Sequence, residues 1–392
     1  MPARTRQATR RRPAVLFVDD GSWNCFFQLA AGLRRAGIGA IRVTTGHSNP
    51  PAALLLFDRT VYIRDAQELE GLPNILEGEE IVDIQVVESM AKATLLGLQR
   101  TLGLDMPPAW VRRLDVADKV IVAKMLREAG LFVPPTMVGS TLKASEIIDE
   151  LGLPVVHKPR CGSSGTGVSV LDTQASLERL LGEGGHSEEH FFERFIQGSN
   201  ERYAGVAGDR SEQRLTVTYE PSVRMNALGP AVSVCLIEDP VLDNAGETIV
   251  DVLGMTGFFS VQVIKDGHGR HWVHDVNARV PGTFLCHRRA GIDLLGAYVG
   301  WIQGRWPQVV PGRPPLGVPL PMFPEAYQLK YSDEQKAHAG ISDLWRFVRA
   351  GAHFAMSVSA RYVIYEVIRQ TRSRLTVSNR FPQPQQSTET RS

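Results

Sequence analysis

One segment of the sequence combines a lysine, several glycines and small hydroxyl residues in a way that suits phosphate binding. It reads VVHKPRCGSSGTGV over residues 155–168, so a predicted strand delivers Lys158 to a glycine-rich loop. Glycine lets backbone N–H groups approach phosphate oxygens, and the hydroxyl groups add further donors. Beside the charge of Lys158, the candidate phosphate ligands are Gly162, Ser163, Ser164, Gly165, Thr166 and Gly167. Taken alone, the segment fits a flexible turn between two strands equally well.

A second set of polar residues lies on two predicted strands joined by the turn DGHG, within residues 257–283. Gln262 is on the first strand, and Asp275 and Asn277 share one face of the second, because side chains alternate along a strand. One carboxylate and two amides make an all-oxygen site suited to Mg²⁺. Arg279 continues this face and could hold a phosphate oxygen or a carboxylate. A solvent-facing polar hairpin is the alternative, and this segment alone favours it.

The elements that must position these residues alternate in type near the N-terminus. An apolar run over 14–20, helical spacing from Phe26 to a stop at Gly37, and a strand over 38–44 predict a doubly wound parallel sheet. The middle of the chain mixes strands and helices as an α+β body does. Predicted strands there are 153–159, 168–171, 191–196, 214–219, 231–237, 257–264 and 271–276, and predicted helices are 88–102, 115–130, 145–151 and 291–304.

The predicted domain organisation has three parts between disordered tails at 1–12 and 379–392. These are a Rossmann-like domain (13–110), an α+β domain (111–310) with a flap lobe at about 136–195, and a proline-rich linker with a C-terminal helix (311–378). The helix, at about 342–371, has an apolar stripe at three- and four-residue intervals. The stripe could pack on the protein's own body or on a second subunit, giving a homodimer. Arginines on the helix could instead bind an anionic surface.

Composition excludes several classes of protein. The 392 residues are 43% hydrophobic and 22% charged, which is typical of a soluble globular chain. The 43 basic and 42 acidic side chains nearly cancel, so no overall field recruits nucleic acid or an anionic membrane. Four scattered cysteines indicate neither a disulfide framework nor a zinc motif. We expect a cytoplasmic protein without a transmembrane segment or nucleic-acid partner.

In the order of its motifs, the chain resembles the ATP-grasp superfamily, most closely its carbamoyl-phosphate-synthetase-like branch, from about residue 14 to 306. The matching segments are the helix start Asp118-Lys119, AGLFVPPT (129–136), Lys158 with its flap, FFERFIQGSNE (191–201), the pair VQV and DVNAR (261–263 and 275–279), and the helix 290–304. The resemblance implies an ATP site with adenine at Glu193 and the backbone of Arg194, Phe195 and Ile196, and ribose at Glu201. It also implies that Lys119 and Lys158 bind the phosphates.

The resemblance further implies ATP-dependent activation of a small-molecule carboxylate as an acyl phosphate, which an amine converts to an amide. Gln262, Asp275 and Asn277 would hold one or two Mg²⁺ ions, for which Mn²⁺ could substitute, and Arg279 would hold the acyl phosphate. The family commonly has glutamate where this chain has Asp275, and some members have an acid at Gln262. The alternatives are a non-catalytic ATP-binding regulatory module and a kinase or carboxylase. We expect Lys158 to be exposed in the flap and to contribute little to stability.

Other candidate residues have less support. Strand alternation predicts that His157 and His274 point away from the site and are structural, and Cys161 has no paired base. The cluster His287–Arg289 could receive an anionic substrate or merely cover the surface. Substrate contacts are expected from 19–23, Arg224 and the segment 238–257, interpreted as a linker.

Overall fold

The structure, a computed structural model, describes residues 12–21, 23–45, 55–102, 106–163, 165–184, 187–224, 231–307 and 316–322. The described strands are β1 (Pro13–Asp19), β2 (Gly39–Thr44), β3 (Arg59–Tyr62), β4 (Glu80–Val86), β5 (Thr136–Met137), β6 (Val155–Pro159), β7 (Ser169–Leu171), β8 (His190–Arg194), β9 (Ser199–Ala207), β10 (Arg214–Arg224), β11 (Ala231–Leu236), β12 (Gly257–Lys265), β13 (His271–Asn277) and β14 (Pro319–Pro321). The described α-helices are α1 (Asn24–Arg35), α2 (Leu72–Leu76), α3 (Ala91–Leu102), α4 (Pro108–Asp115), α5 (Lys119–Glu128), α6 (Ala144–Leu151), α7 (Gln174–Gly182), α8 (Pro240–Leu253) and α9 (Leu294–Ile302).

The N-terminal sheet is parallel, with strand order β3-β2-β1-β4. Residues 14–18 of β1 are all buried, which explains the uninterrupted apolar run, since a parallel strand is covered on both faces. Its core continues into α9 and the inner face of a second sheet, so 284–298 pack with the N-terminal residues. The predicted α/β fold of this part of the chain is confirmed. The boundary predicted between the first and second domains, at 110/111, falls within α4.

Two antiparallel sheets follow. The small sheet has the order β5-β8-β6-β7 and packs on α6 and α7 around its own core. The large sheet has the order β13-β12-β9-β10-β11-β14. Its outer face packs on α5 and α8, while its inner face joins the N-terminal core. The two sheets meet where Lys158 of β6 contacts β13, and the predicted site residues lie on β6, β8 and β13 near this contact.

Two predicted elements differ from the observed ones. The helix predicted over 115–130 is α5, which begins only at Lys119, because Asp118 accepts hydrogen bonds from the N–H groups of Val120 and Ile121. Residue 115 is instead the last residue of α4. The linker predicted over 238–257 is wrong, since most of it is α8, capped by Asp239 and ended by Gly254 at a φ of 57°. Its buried residues recur at helical spacing, a signal that the sequence already carried.

The predicted tails and the predicted C-terminal helix lie outside the described residues, apart from Arg12. The homodimer contact proposed for that helix remains a prediction. Among the described residues, no helix combines the length and the apolar content needed to cross a membrane.

The contact between α8 and the large sheet yields a stability prediction. A Cβ added at Gly246 would lie 2.3–2.5 Å from ring carbons of Tyr203, which is fully buried in β9. We expect Gly246→Ala to destabilise the protein by about 3 kcal/mol, because the helix must move off the sheet. Chemical denaturation measures this. Gly182→Ala in α7 is the matched control, since no atom lies within 4 Å of its added Cβ; an equal loss in both variants would contradict the packing argument.

Candidate active site

Lys158 connects the small sheet to the large sheet. Its Nζ atom donates hydrogen bonds to Glu193 Oε1 in β8 at 2.8 Å and to the backbone carbonyl of His274 in β13 at 3.0 Å. Lys158 is 5% exposed and Glu193 6% exposed. The expectation of an exposed flap lysine is therefore wrong: Lys158 precedes the flap and forms a buried ion pair. Burial raises the pKa of Glu193, an effect that the charge of Lys158 opposes.

A β-bulge in β13 explains how this strand contacts Lys158 and also contributes to the predicted metal site. Gln262 pairs with Asp275 and Val263 with Val273, so His274 is the extra residue. The bulge allows the His274 carbonyl to accept from Lys158 while Asp275 faces Gln262. The bulge therefore interrupts the alternation of side-chain directions from which the orientation of His274 was predicted. Its ring is a structural group with a pKa lowered to about 3, first by burial and then by the charge of Lys158.

The three predicted metal ligands lie together. Gln262 Nε2 and Asn277 Nδ2 each donate a hydrogen bond of 2.8 Å to Asp275 Oδ2. Burial alone would raise the pKa of Asp275, but nearby cations, Lys119 first, hold it at about 2. Asp275 is therefore ionised at any working pH. Its other oxygen, Oδ1, is buried and accepts no hydrogen bond from the residues that the structure describes.

Lys119 links this acid to the flap. As the first residue of α5, it places Nζ 3.4 Å from Asp275 Oδ1 and donates a 2.7 Å hydrogen bond to the Gly162 carbonyl. The flap is held again by Arg160, whose Nη2 lies 2.6 Å from Asp118 Oδ2. The pKa of Lys119 is raised above its usual value, because Asp275 and Glu88 outweigh the opposing effect of burial.

The flap forms a tight turn after β6. Thr166 N–H donates to the Ser163 carbonyl at 3.1 Å, and Val168 N–H donates to the Gly165 carbonyl at 3.2 Å. Gly165 and Gly167 have φ angles of 74° and 75°, which favour glycine. Ser164 lies outside the described residues, so its predicted phosphate contact remains a prediction, as do those of Gly162, Ser163, Gly165, Thr166 and Gly167.

The predicted adenine segment lies at the end of β8. Phe195 is 39% exposed, and Ile196 directly follows it. The Arg194 side chain turns away to donate to the carbonyls of Glu150 and Leu151 at 2.7 and 3.2 Å, leaving its backbone as the predicted contact. Apolar residues of α5 and β13 line a small cavity together with Glu193, Lys119 and Asp275. The adenine assignment remains a prediction.

Glu201 belongs to a separate buried cluster. Its Oε2 atom and Asp239 Oδ2 lie 3.2 and 3.1 Å from His271 Nε2, and Lys265 Nζ contacts both carboxylates. The three acid and imidazole ligand atoms lie within 4.8 Å of one another, a spacing that could hold a cation. Lys265 already supplies that positive charge, so we interpret the cluster as structural. It joins the end of the β12–β13 hairpin to α8, and a ribose contact by Glu201 remains a prediction.

Arg279 lies at the boundary with the N-terminal domain. Its Nε atom is 2.9 Å from Glu88 Oε1, and its Nη2 donates to Glu88 Oε2 at 3.2 Å and to Asn277 Oδ1 at 3.4 Å. The Trp23 ring covers its guanidinium at 4.6 Å. Sequence reasoning missed Glu88. The available signal was its position just after β4, because ligands bind beyond the carboxyl ends of parallel strands.

Three further candidates, His157, Cys161 and His287, have surroundings that suit a structural role. His157 is buried with its ring stacked on His190, and burial raises the pKa of the Cys161 thiol, so Cys161 is no activated nucleophile. His287 is fully buried beside Tyr219, and burial lowers its pKa to about 3. His287 therefore does not contribute to the basic cluster that residues 287–289 were considered to form for an anionic substrate.

Residues 116–283 match the family model of the ATP-grasp domain. This part of the chain is an ATP-grasp domain, as its ordered motifs predicted.

Individual proteins are also similar to this chain. The formate-dependent phosphoribosylglycinamide formyltransferase of Pseudomonas savastanoi pv. phaseolicola is 24% identical over 291 residues, which are 69% of this chain and 70% of that protein. A D-alanine–D-alanine ligase of Chromohalobacter salexigens is 27% identical over 176 residues, covering 42% of this chain and 55% of the ligase. The crystal structure of N5-carboxyaminoimidazole synthetase from Staphylococcus aureus with ADP matches with a TM-score of 0.62, covering 79% and 81% of the two chains. At 14% identity, that similarity establishes the shared fold only.

Proposed function

We propose that the protein is an ATP-dependent carboxylate–amine ligase that releases ADP and phosphate. The observation that carries this proposal is the convergence of three cations on the end of β13. Lys119 contacts Asp275, Lys158 contacts the His274 carbonyl, and Arg279 contacts Asn277. This arrangement suits a phosphoryl group in transfer, whose charge must be stabilised while its two reaction partners are held in line. The D-alanine–D-alanine ligase among the similar proteins supports the same class of reaction.

The residues around Asp275 fit a magnesium ion. One carboxylate and two amide side chains form the oxygen-rich donor set that Mg²⁺ prefers, and the buried Asp275 Oδ1 is held within the described part of the chain only by the 3.4 Å ion pair with Lys119. Gln262, Asp275 and Asn277 would hold the ion. When bound, it would neutralise charge on the phosphate oxygens.

The chain's own residues would bind the phosphate groups through both steps of the reaction. Lys119 and Lys158 exchange their acidic partners for phosphate oxygens, and the flap N–H groups add donors. The substrate carboxylate attacks the γ-phosphorus, and the bond to the bridging oxygen of ADP breaks. Arg279 holds the resulting acyl phosphate. The amine then attacks the acyl carbon, phosphate leaves, and the nitrogen loses a proton, giving the amide.

Product analysis tests the proposal. We expect ADP and phosphate to appear in equal amounts when the protein, ATP, Mg²⁺ and a panel of carboxylates with an amine are incubated together, and no turnover with EDTA. AMP and pyrophosphate would contradict the mechanism. ATP binding without turnover would favour the regulatory module, and a phosphorylated or carboxylated product would favour the kinase or carboxylase. A cytoplasmic location and a homodimer belong to the same proposal.

A further inference from the structure

Arg202 lies in the same row of side chains as two of the predicted metal ligands, although sequence reasoning missed it. On the large sheet, Asp275 of β13 pairs with Gln262 of β12, which pairs with Arg202 of β9. Arg202 in turn pairs with Tyr219 of β10, whose ring belongs to the core shared with the N-terminal domain. Directly opposite residues of antiparallel strands share one face, so all four side chains lie on the inner face of the sheet.

The Arg202 guanidinium has hydrogen-bonding capacity that the described residues do not use. Its Nε atom is buried and donates no hydrogen bond to any residue that the structure describes. The guanidinium lies beside Tyr219, since burial raises the pKa of the Tyr219 hydroxyl and the charge of Arg202 is the first influence opposing that rise. Buried donors are paired in nearly all folded proteins, so an acceptor from outside the chain is expected here.

A second positive charge lies close to Arg202. Arg224, at the end of β10, has a pKa lowered first by burial and then by the charge of Arg202. The acids of the same two strands, Glu201 and Glu220, point to the opposite face, because side chains alternate along a strand. Both arginines are half-buried rather than sealed in the core, so a small molecule can reach them.

The other cations of the candidate site already have acidic partners. These ion pairs are Lys158–Glu193 at 2.8 Å, Lys119–Asp275 at 3.4 Å and Arg279–Glu88 at 2.9 Å. Within the described part of the chain, Arg202 forms no such pair. Its charge is therefore available to an anion without first displacing an acid.

Arg202 lies on the side of the site where the substrates must bind. The phosphates are expected at Lys119 and Lys158, beside β13, and the attacking group approaches the γ-phosphorus from the side opposite ADP. That side lies over β12, β9 and β10. Since β9 is two strands from β13, Arg202 is about 10 Å from Asp275, measured between their backbones. With its guanidinium at Tyr219, Arg202 is beyond the phosphoryl group in transfer.

We infer that Arg202, with Arg224 beside it, binds an anionic group that one of the two substrates carries in addition to its reacting group. A carboxylate or a phosphate offers acceptor oxygens only, which matches the donors of a guanidinium. This inference rests on the proposed ligase function and adds a substrate class, molecules with an anionic group outside the bond that forms. Arg202 is thereby a specificity-determining residue.

The first test measures anion binding without turnover. Succinate and inorganic phosphate are titrated by calorimetry into the full chain with Mg²⁺ and a non-hydrolysable ATP analogue, which occupies Lys119 and Lys158. We expect Arg202→Gln to weaken binding of the anion about 10- to 100-fold, because charge-assisted hydrogen bonds are lost, and Arg202→Lys to weaken it less. Should Arg202→Gln fail to fold, Arg224→Gln should show the same loss. Affinity unchanged in the Gln variants, or no binding by the wild type, would overturn the inference.

The second test identifies which substrate carries the group. ADP release is measured with matched pairs, one member of which lacks the additional anion. The carboxylate arm compares succinate with its monomethyl ester and 3-phosphoglycerate with glycerate, and the amine arm compares O-phosphoethanolamine with ethanolamine. We expect kcat/KM to favour the anionic member about 100-fold in one arm. Equal use in both arms would overturn the inference and leave the ligase proposal standing. No ADP release with any pair would contradict the ligase proposal, and the binding measurement would then decide the anion site.

The preferred pair is then measured on the variants. Arg202→Gln should raise KM for the anionic member about 10- to 100-fold and remove the preference, with KM for ATP unchanged. A merely structural Arg202 would instead lower activity with both members equally. The matched control is Arg210→Gln, in the turn between β9 and β10, where this exposed arginine lies 3.2 Å from Glu212 and should change neither constant.

Discussion

Replacing Lys158 with methionine is expected to abolish turnover and to destabilise the protein by about 3–5 kcal/mol. The activity is lost because a phosphate-binding charge is removed. The stability is lost because Glu193 remains buried without its cation, and removing one partner of a buried ion pair costs about this much. Chemical denaturation gives the free energy of unfolding, and ADP release gives the turnover.

A double variant separates the two effects. Lys158→Met/Glu193→Gln removes both charges and should recover most of the stability without recovering turnover. Lys124→Met is the matched control, since this lysine lies exposed on α5 and forms a surface ion pair with Glu128 at 3.9 Å. Full turnover in the Lys158→Met variant would exclude a role in phosphate binding, and unchanged stability would show that the pair is not buried in solution.

Asp275→Asn is expected to lower turnover by about 10³-fold or more, while ATP binding measured without metal is retained. The only full negative charge among the three predicted metal ligands is removed, whereas Lys119 and Lys158 stay in place. Because the pKa of Asp275 is held at about 2, we expect the same loss at every pH from 5 to 9. Binding of Mn²⁺ in the presence of a non-hydrolysable ATP analogue, followed by electron paramagnetic resonance, measures the metal site directly.

The control for this substitution lies on the same hairpin. Asp266→Asn changes an acid that pairs with Arg270 at 2.7 Å, away from the predicted metal ligands, and should leave Mn²⁺ binding and turnover unchanged. Unchanged turnover in the Asp275→Asn variant would exclude the metal assignment. Loss of Mn²⁺ binding in both variants would indicate disruption of the hairpin instead.

Features that follow from local pattern were predictable from the sequence. The buried parallel strand β1 is an apolar run, and the face shared by Asp275 and Asn277 follows from alternation within β13. Lys119 was placed at a helix start by the resemblance to the ATP-grasp family, and the capping aspartate Asp118 directly before it is a local signal for the same position. These inferences needed only neighbours in the chain.

Features that depend on distant residues were not predictable. Glu88 and Arg279 are separated by 191 residues, and no spacing within either segment indicates that they meet. The burial of Lys158 depends on Glu193 and on the His274 carbonyl, which a bulge turns toward it. A bulge adds one residue to one strand only, so the strand's own alternation does not reveal it.

The two hydrogen bonds of Lys158 also connect ligand binding to the arrangement of the lobes. Lys158 belongs to the small sheet, yet its ammonium group binds the His274 carbonyl of the large sheet. A ligand that binds this ammonium group in place of the His274 carbonyl weakens the contact between the two sheets. Conversely, a change that strengthens this contact lowers the affinity for the ligand. Ligand binding at Lys158 and the orientation of the two sheets are thus coupled equilibria. The free energy by which ligand binding shifts the orientation equals the free energy by which the orientation shifts ligand binding.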